Sequence, residues 1–178
     1  MTKTRLLVAA AAVLALLTDL PLQAEEADSP GTAYTRNLSF VGDRSVQLVE
    51  AIPGESFDWR PMEGVRSVSE AAMHMASANY FFAGRMGVEA PEGLDVRSMD
   101  KITDKAEVVA ALEASLEHLS KAFLSVEDPK AETDIYGHPG TVEDLMMIAI
   151  GHVHEHFGQL IAYARSNQVT PPWSQSDG

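Results

Sequence analysis

The residues best equipped for chemistry in this sequence are histidines. His152, His154 and His156 crowd together in residues 141–165 (TVEDLMMIAIGHVHEHFGQLIAYAR), and His74 stands upstream in the segment MHMA. Thr141, with Asp144 three residues on, carries the signature of a capped helix start. At ~100° per residue, Leu145, Ile148, Ala149, His152, His156, Gln159, Leu160 and Tyr163 fall within one arc of about 120°. Imidazoles at i and i+4 point the same way and can share one metal ion. His154 points to the opposite side. A histidine on an apolar helix face is more commonly a hydrogen-bonded core residue, and His-x-x-x-His also occurs by chance. On these residues alone, metal binding and core packing both stand open.

The elements that must position them are helical throughout. A first helix is expected from about residue 32 to 52, with Leu38, Val41, Ser45, Leu48 and Ile52 spaced as a bundle seam and Pro53-Gly54 stopping it. The loop that follows carries Phe57 and Trp59 and should pack over a bundle end. Ser67 and Glu70 form a capping box for a second helix ending near Gly84. His74 lies two turns into it, on an arc shared with Glu70, Ala71, Ser77, Ala78 and Phe81. Such a mixture of small apolar and polar groups suits the edge of a pocket, the plainer alternative being a histidine hydrogen-bonded to Ser77 or Glu70.

Residues 84–103 are rich in Gly, Pro and charge, long enough to cross over and set the third helix parallel to the second. Asp104 with Glu107 caps that third helix, whose stripe is Val108, Leu112, Ser115, Leu119 and Phe123. His118 falls off the stripe and is expected in solvent. Residues 127–140 read as a linker in which His138 is a turn residue, and no strand periodicity is evident. After the fourth helix, Pro171-Pro172 leads Trp173 back toward the bundle. The expected fold class is therefore all-α, a four-helix bundle over residues 32–173 with a long connection between helices 2 and 3.

The first 24 residues read as a secretory signal peptide: Lys3 and Arg5, then an apolar run over residues 6–17, then a small-residue cleavage site near Ala24. The apolar run is short of the ~20 residues that span a bilayer. Residues 25–31 read as a flexible leader and residues 174–178 as a tail. These features predict a periplasmic or secreted protein. The chain of 178 residues has 13 basic against 26 acidic residues, a formal charge of −13, and no cysteine. Loss of the leader would make the surface slightly more acidic. That charge argues against nucleic acid and anionic membranes as partners. Disulfides, thiolate metal sites and thiol nucleophiles are excluded outright.

The loop FDWRPMEGVRSVSE, the segment MHMA and HEHFGQLIAYAR followed shortly by VTPP resemble the DinB/YfiT-like family, across nearly the whole chain after the leader. The fourth-helix pattern His-x-x-x-His-x-Gly-Gln-Leu is its most specific part. The resemblance implies a four-helix bundle, commonly a homodimer, with a divalent metal, zinc or nickel above all, held by three histidines. Carried over residue by residue, those ligands are His74, His152 and His156; His154 matches no ligand position. Three imidazoles leave an open coordination position, as in catalytic rather than structural metal sites. Some relatives are thiol S-transferases or hydrolases, and many have no assigned reaction; the partner expected here is a small-molecule substrate. The expected function is thus a metal-dependent enzyme of hydrolase or transferase type, with a non-catalytic exported metal- or ligand-binding protein as the alternative. Neither Glu155, well off the ligand arc, nor Glu70, already a capping partner, stands out as a general base. The opposite face of the fourth helix (Met147, Ile150, Ile161) is too apolar to stand open, so either the chain itself or a second copy should cover it.

Overall fold

A computed structural model describes residues 29–175. The expected signal peptide lies outside the described residues, as do residues 176–178 of the tail. Four helices carry the fold: α1 (Thr32–Ala51), α2 (Val68–Arg85), α3 (Lys105–Leu124) and α4 (Val142–Ser166). The stripes that the spacing picks out on α1 and α3 are all buried. Ser45, the polar member on α1, spends its hydroxyl on the Val41 carbonyl at 2.8 Å, so its burial leaves nothing unpaired. No described helix is long and apolar enough to cross a membrane.

Each helix packs against two others, α2 and α1 both flanking α3 and both flanking α4. Named contacts fix the directions. Lys105 at the start of α3 donates to the carbonyls of Glu50 and Ile52, 2.6 and 2.9 Å away, capping the end of α1. At the far end Tyr34 meets Phe123 edge-on, and a Cβ on Gly31 would lie 1.8 Å from the Phe123 carbonyl oxygen. Only glycine allows that approach. Ser29 to Gly31, the described part of the expected leader, thus form a turn docked on α3. So α1 and α3 are antiparallel. Tyr34 also donates to Glu143 in the first turn of α4, which makes α1 and α4 parallel. The start of α2 meets the end of α4, where Tyr163 donates to the Arg66 carbonyl. It follows that α2 and α3 run parallel, as the long connection between them predicts. That connection contains a 3-10 turn, Val96–Lys101, which lies along α2.

Three expectations need correction. Residues 127–140 are not a plain linker. They contain an antiparallel hairpin, β1 (Glu132–Ile135) and β2 (His138–Thr141), with Ile135 opposite His138. Its two-residue turn, Tyr136-Gly137, has φ of 53° and 89°, the doubly positive backbone whose twist matches a hairpin. Arg85 from the last turn of α2 holds it down, bonding the Asp134 carbonyl and, at 3.1 Å, its carboxylate. His138 is therefore an exposed strand residue. His118, in turn, is half-buried rather than solvated: its Nε2 stands 3.2 Å from the Val88 carbonyl and its ring lies against Tyr80.

The outward face of α4 is covered in part. Ile150 and Ile161 are half-buried and His154 reaches Asn37 of α1 at 3.0 Å, whereas Met147 stays 61% exposed beside a groove lined also by Ala33, Tyr34 and Ile150.

Candidate metal centre

Two capping boxes set the helices that carry the histidines. On α2, Ser67 Oγ accepts from the Glu70 amide while the Glu70 carboxylate accepts from the Ser67 amide at 2.8 Å. On α4, Thr141 and Asp144 reciprocate in the same way, and Thr141 is at once the last residue of β2. Both boxes are local devices that fix where a helix begins, and hence which residues share a face. The loop between α1 and α2 adds the angle. Phe57 is buried, Trp59 packs edge-on to Tyr163 at 5.3 Å, and the amides of Val68 and Ser69 bond back to Trp59 and Phe57.

His74, His152 and His156 meet between α2 and α4. The Nε2 of His152 stands 3.2 Å from the Nε2 of His74 and 3.2 Å from that of His156. One ligand atom from each of the three lies within 4.8 Å of the others. His156 is buried; His74 and His152 are half-buried. His154 and His138 are exposed elsewhere, and His118 belongs to the α2–α3 side. The hydrogen-bonded alternative for His74 is not what forms. Ser77 bonds the His74 carbonyl rather than its ring, and Glu70 is held by Arg60 and the Ser67 amide.

A relay settles the tautomer of His156. Tyr163 donates its hydroxyl proton to the Arg66 carbonyl at 3.0 Å, so its oxygen is left to accept from the Gln159 amide nitrogen at 2.8 Å. That turns the Gln159 carbonyl toward His156 Nδ1, 2.8 Å away. A carbonyl only accepts, so Nδ1 carries the proton and Nε2 presents a lone pair to the cluster. Burial, the His156 and His74 rings and the Arg66 guanidinium together push His152 down to about 4. His74 is lowered too, by burial first, then Arg66 and His156, with the Glu155 carboxylate pulling the other way. Neutral rings are the ligating form.

The fit to a cation rests on these nitrogens. His152 Nε2 has two close nitrogen neighbours and at most one proton to share, whereas one divalent ion would satisfy all three lone pairs. A tetrahedral ion bound at ~2.0–2.1 Å sets its nitrogen ligands about 3.3–3.4 Å apart, close to the two 3.2 Å spacings on either side of His152. His152 Nδ1, buried beside Phe82, has no partner among the described residues. The three-histidine group could therefore hold a metal ion. His74 also lines a cleft of about 480 Å³ shared with Arg66, Glu70, Ser77, Arg97 and Asp100. A larger groove of about 810 Å³, between α1 and α3, lies away from the histidines.

A family model described as the DinB superfamily matches residues 37–160. The chain belongs to the DinB superfamily. Its fold matches a DinB-like protein from Bacillus cereus ATCC 10987 with a TM-score of 0.68 at 16% identity, over 78% of this chain and 93% of that one. A DinB-like protein from Bacillus subtilis, YjoA, matches with a TM-score of 0.58 at 17% identity, over 78% of this chain and 94% of that one. At such identities the likeness is one of fold. No curated protein matches the sequence. Within this DinB-superfamily bundle, sequence reasoning finds the three histidines but assigns no role to Gln159 or Tyr163. Their position on the ligand arc of α4 was the available signal; their acceptor, a backbone carbonyl from a distant loop, has none.

Proposed function

We propose that the protein binds one divalent metal ion through Nε2 of His74, His152 and His156 and is a metal-dependent enzyme of hydrolase or transferase type acting on a small molecule. The observation that carries this reading is the paired 3.2 Å spacing of three Nε2 atoms around His152, with the tautomer of His156 preset. A divalent ion at such a site supplies Lewis acidity toward a substrate oxygen or water. The chain's own residues hold and orient. Gln159 and Tyr163 fix the His156 ring, Phe82 shields His152, and the cleft beside His74 admits the substrate. Zinc and nickel both suit three imidazoles. Export through the leader and pairing of two copies over Met147 and Ile150 belong to the same proposal.

Glu70 favours a second reading, a metal- or ligand-binding protein without catalysis. It is the cleft's carboxylate closest in sequence to His74, and Arg60 and the Ser67 amide already occupy it, so it is not free to move a proton. Metal analysis of protein purified without a histidine tag, followed by a screen against esters, amides and thiol adducts, tests both. One bound ion with turnover supports the enzyme, one bound ion without turnover the binder. No bound ion, and no gain in melting temperature with any divalent metal, removes the enzyme and the metal binder and leaves only a ligand-binding bundle.

A further inference from the structure

We propose that the cleft beside His74 is an anion subsite, in which Arg66 and Arg97 grip a carboxylate or phosphate of the small molecule that the centre acts on. The inference rests on the metal reading for its placement, and on the arginines for its chemistry. Arg66 directly precedes the capped start of α2, Arg97 lies on the 3-10 turn Val96–Lys101, and both line the same cleft as His74. The connection that sets α2 and α3 parallel thus supplies one wall of the cleft.

Two other arginines of this bundle are spent on the protein itself. Arg60 pairs with Glu70 at 3.1 Å, and Arg85 with Asp134. Neither the Arg66 nor the Arg97 guanidinium has a hydrogen-bond or ion-pair partner among the described residues. The acids around them do not cancel this charge. Glu70 is held by Arg60 and the Ser67 amide, which leaves Asp100 as the single unpaired carboxylate lining the cleft against two unpaired guanidiniums. The contrast with the whole chain matters. At a formal charge of −13 the general surface repels anions, so a local positive focus beside the histidines selects where an acidic molecule can settle. Planar guanidiniums match carboxylate and phosphate oxygens in pairs, which lysine would not do.

The test uses the full chain after leader removal, zinc-loaded and metal-free, titrated calorimetrically with glutarate, with methylphosphonate and with the neutral glutaramide. Arg66 and Arg97 are both exposed, so Arg66→Gln and Arg97→Gln should fold as the parent does. Each substitution is expected to weaken both anions about 10-fold or more, as loss of a charged hydrogen-bonding partner does. Glutaramide should discriminate none of the variants, and zinc affinity, read by chelator competition, should not fall. Equal anion affinity in the parent and the double variant would overturn the proposal, as would a parent that binds neither anion. A parallel loss of zinc affinity would also overturn it, because the arginines would then act through the histidines. Arginine-dependent anion binding by a protein that takes up no zinc would sustain the subsite and sink the metal reading alone.

Discussion

Gln159→Leu isolates the relay behind His156. In the parent protein, His156 Nδ1–H has its acceptor at 2.8 Å and the residue is only 6% exposed, so little solvent stands ready to replace a lost carbonyl. Leucine fills similar volume and accepts nothing. The ring must then either bury an unsatisfied N–H, at a cost of about 1–3 kcal/mol, or move its proton to Nε2 and lose the lone pair that faces the cluster. Both routes tax ligation, and loss of an outer partner of a metal-bound histidine commonly costs ~10–100-fold in affinity, about 1.4–2.7 kcal/mol and inside that range. Tyr163→Phe should do less, about 2–10-fold, because it frees the Gln159 amide to turn without removing the acceptor. Zinc affinity by competition with a chromophoric chelator at pH 7.5, on variants whose helicity matches the parent, reads the effect. A folded Gln159→Leu protein that binds zinc within two-fold of the parent (~0.4 kcal/mol) would refute the relay, and so would a larger loss from Tyr163→Phe.

Added zinc or nickel should raise the melting temperature strongly near pH 7.5 and hardly at all by about pH 5, where protons compete for the rings; a rise undiminished at pH 5 would point to carboxylate ligands instead. His156→Ala should abolish that rise and His154→Ala should leave it, since His154 bonds Asn37 away from the cluster; equal losses would undo the ligand assignment. In the metal-free protein His152 sits at about 4, below its ordinary 6.5. Stability from its neutral ring is therefore complete above pH ~6.5 and is lost as pH falls toward 4, roughly 1–3 kcal/mol after solvent screening. Urea melts at pH 7 and pH 4.5 should show that slope flattened in His152→Gln. If two copies pair over the α1–α4 groove, Met147→Lys should shift light scattering toward monomer; a parent that is monomeric at every concentration rules the pairing out.

What was legible in the sequence was what local chemistry writes there. Ser67 with Glu70 and Thr141 with Asp144 announce helix starts because each box closes within four residues, and once the start is fixed the face that holds His152 and His156 follows. The length of residues 84–103 was enough to anticipate parallel α2 and α3. The hairpin escaped because its turn is Tyr136-Gly137 rather than Asn-Gly, and because Pro139 and Gly140 disguise a four-residue strand. His118 escaped for a different reason. Its partners, Val88 and Tyr80, are brought to it by tertiary packing, so no helical wheel of α3 contains them. The cleft was legible only as the mixed polarity of the arc around His74; Arg97, on an irregular connection, gave no periodic signal at all.

His74 and His152 touch across a gap of 78 positions in the chain. An ion held by both would act as a clasp on a loop containing all of α3 and the hairpin, and such a clasp cannot close until most of the chain has already condensed. Contacts that form after the rate-limiting step leave the folding rate almost untouched and slow escape from the native basin. The signature of metal in this molecule would then be kinetic. The loaded protein would fold no faster than the empty one, yet α2 and α4 would be the last helices to part, and resistance to proteolysis would be timed by dissociation of the ion.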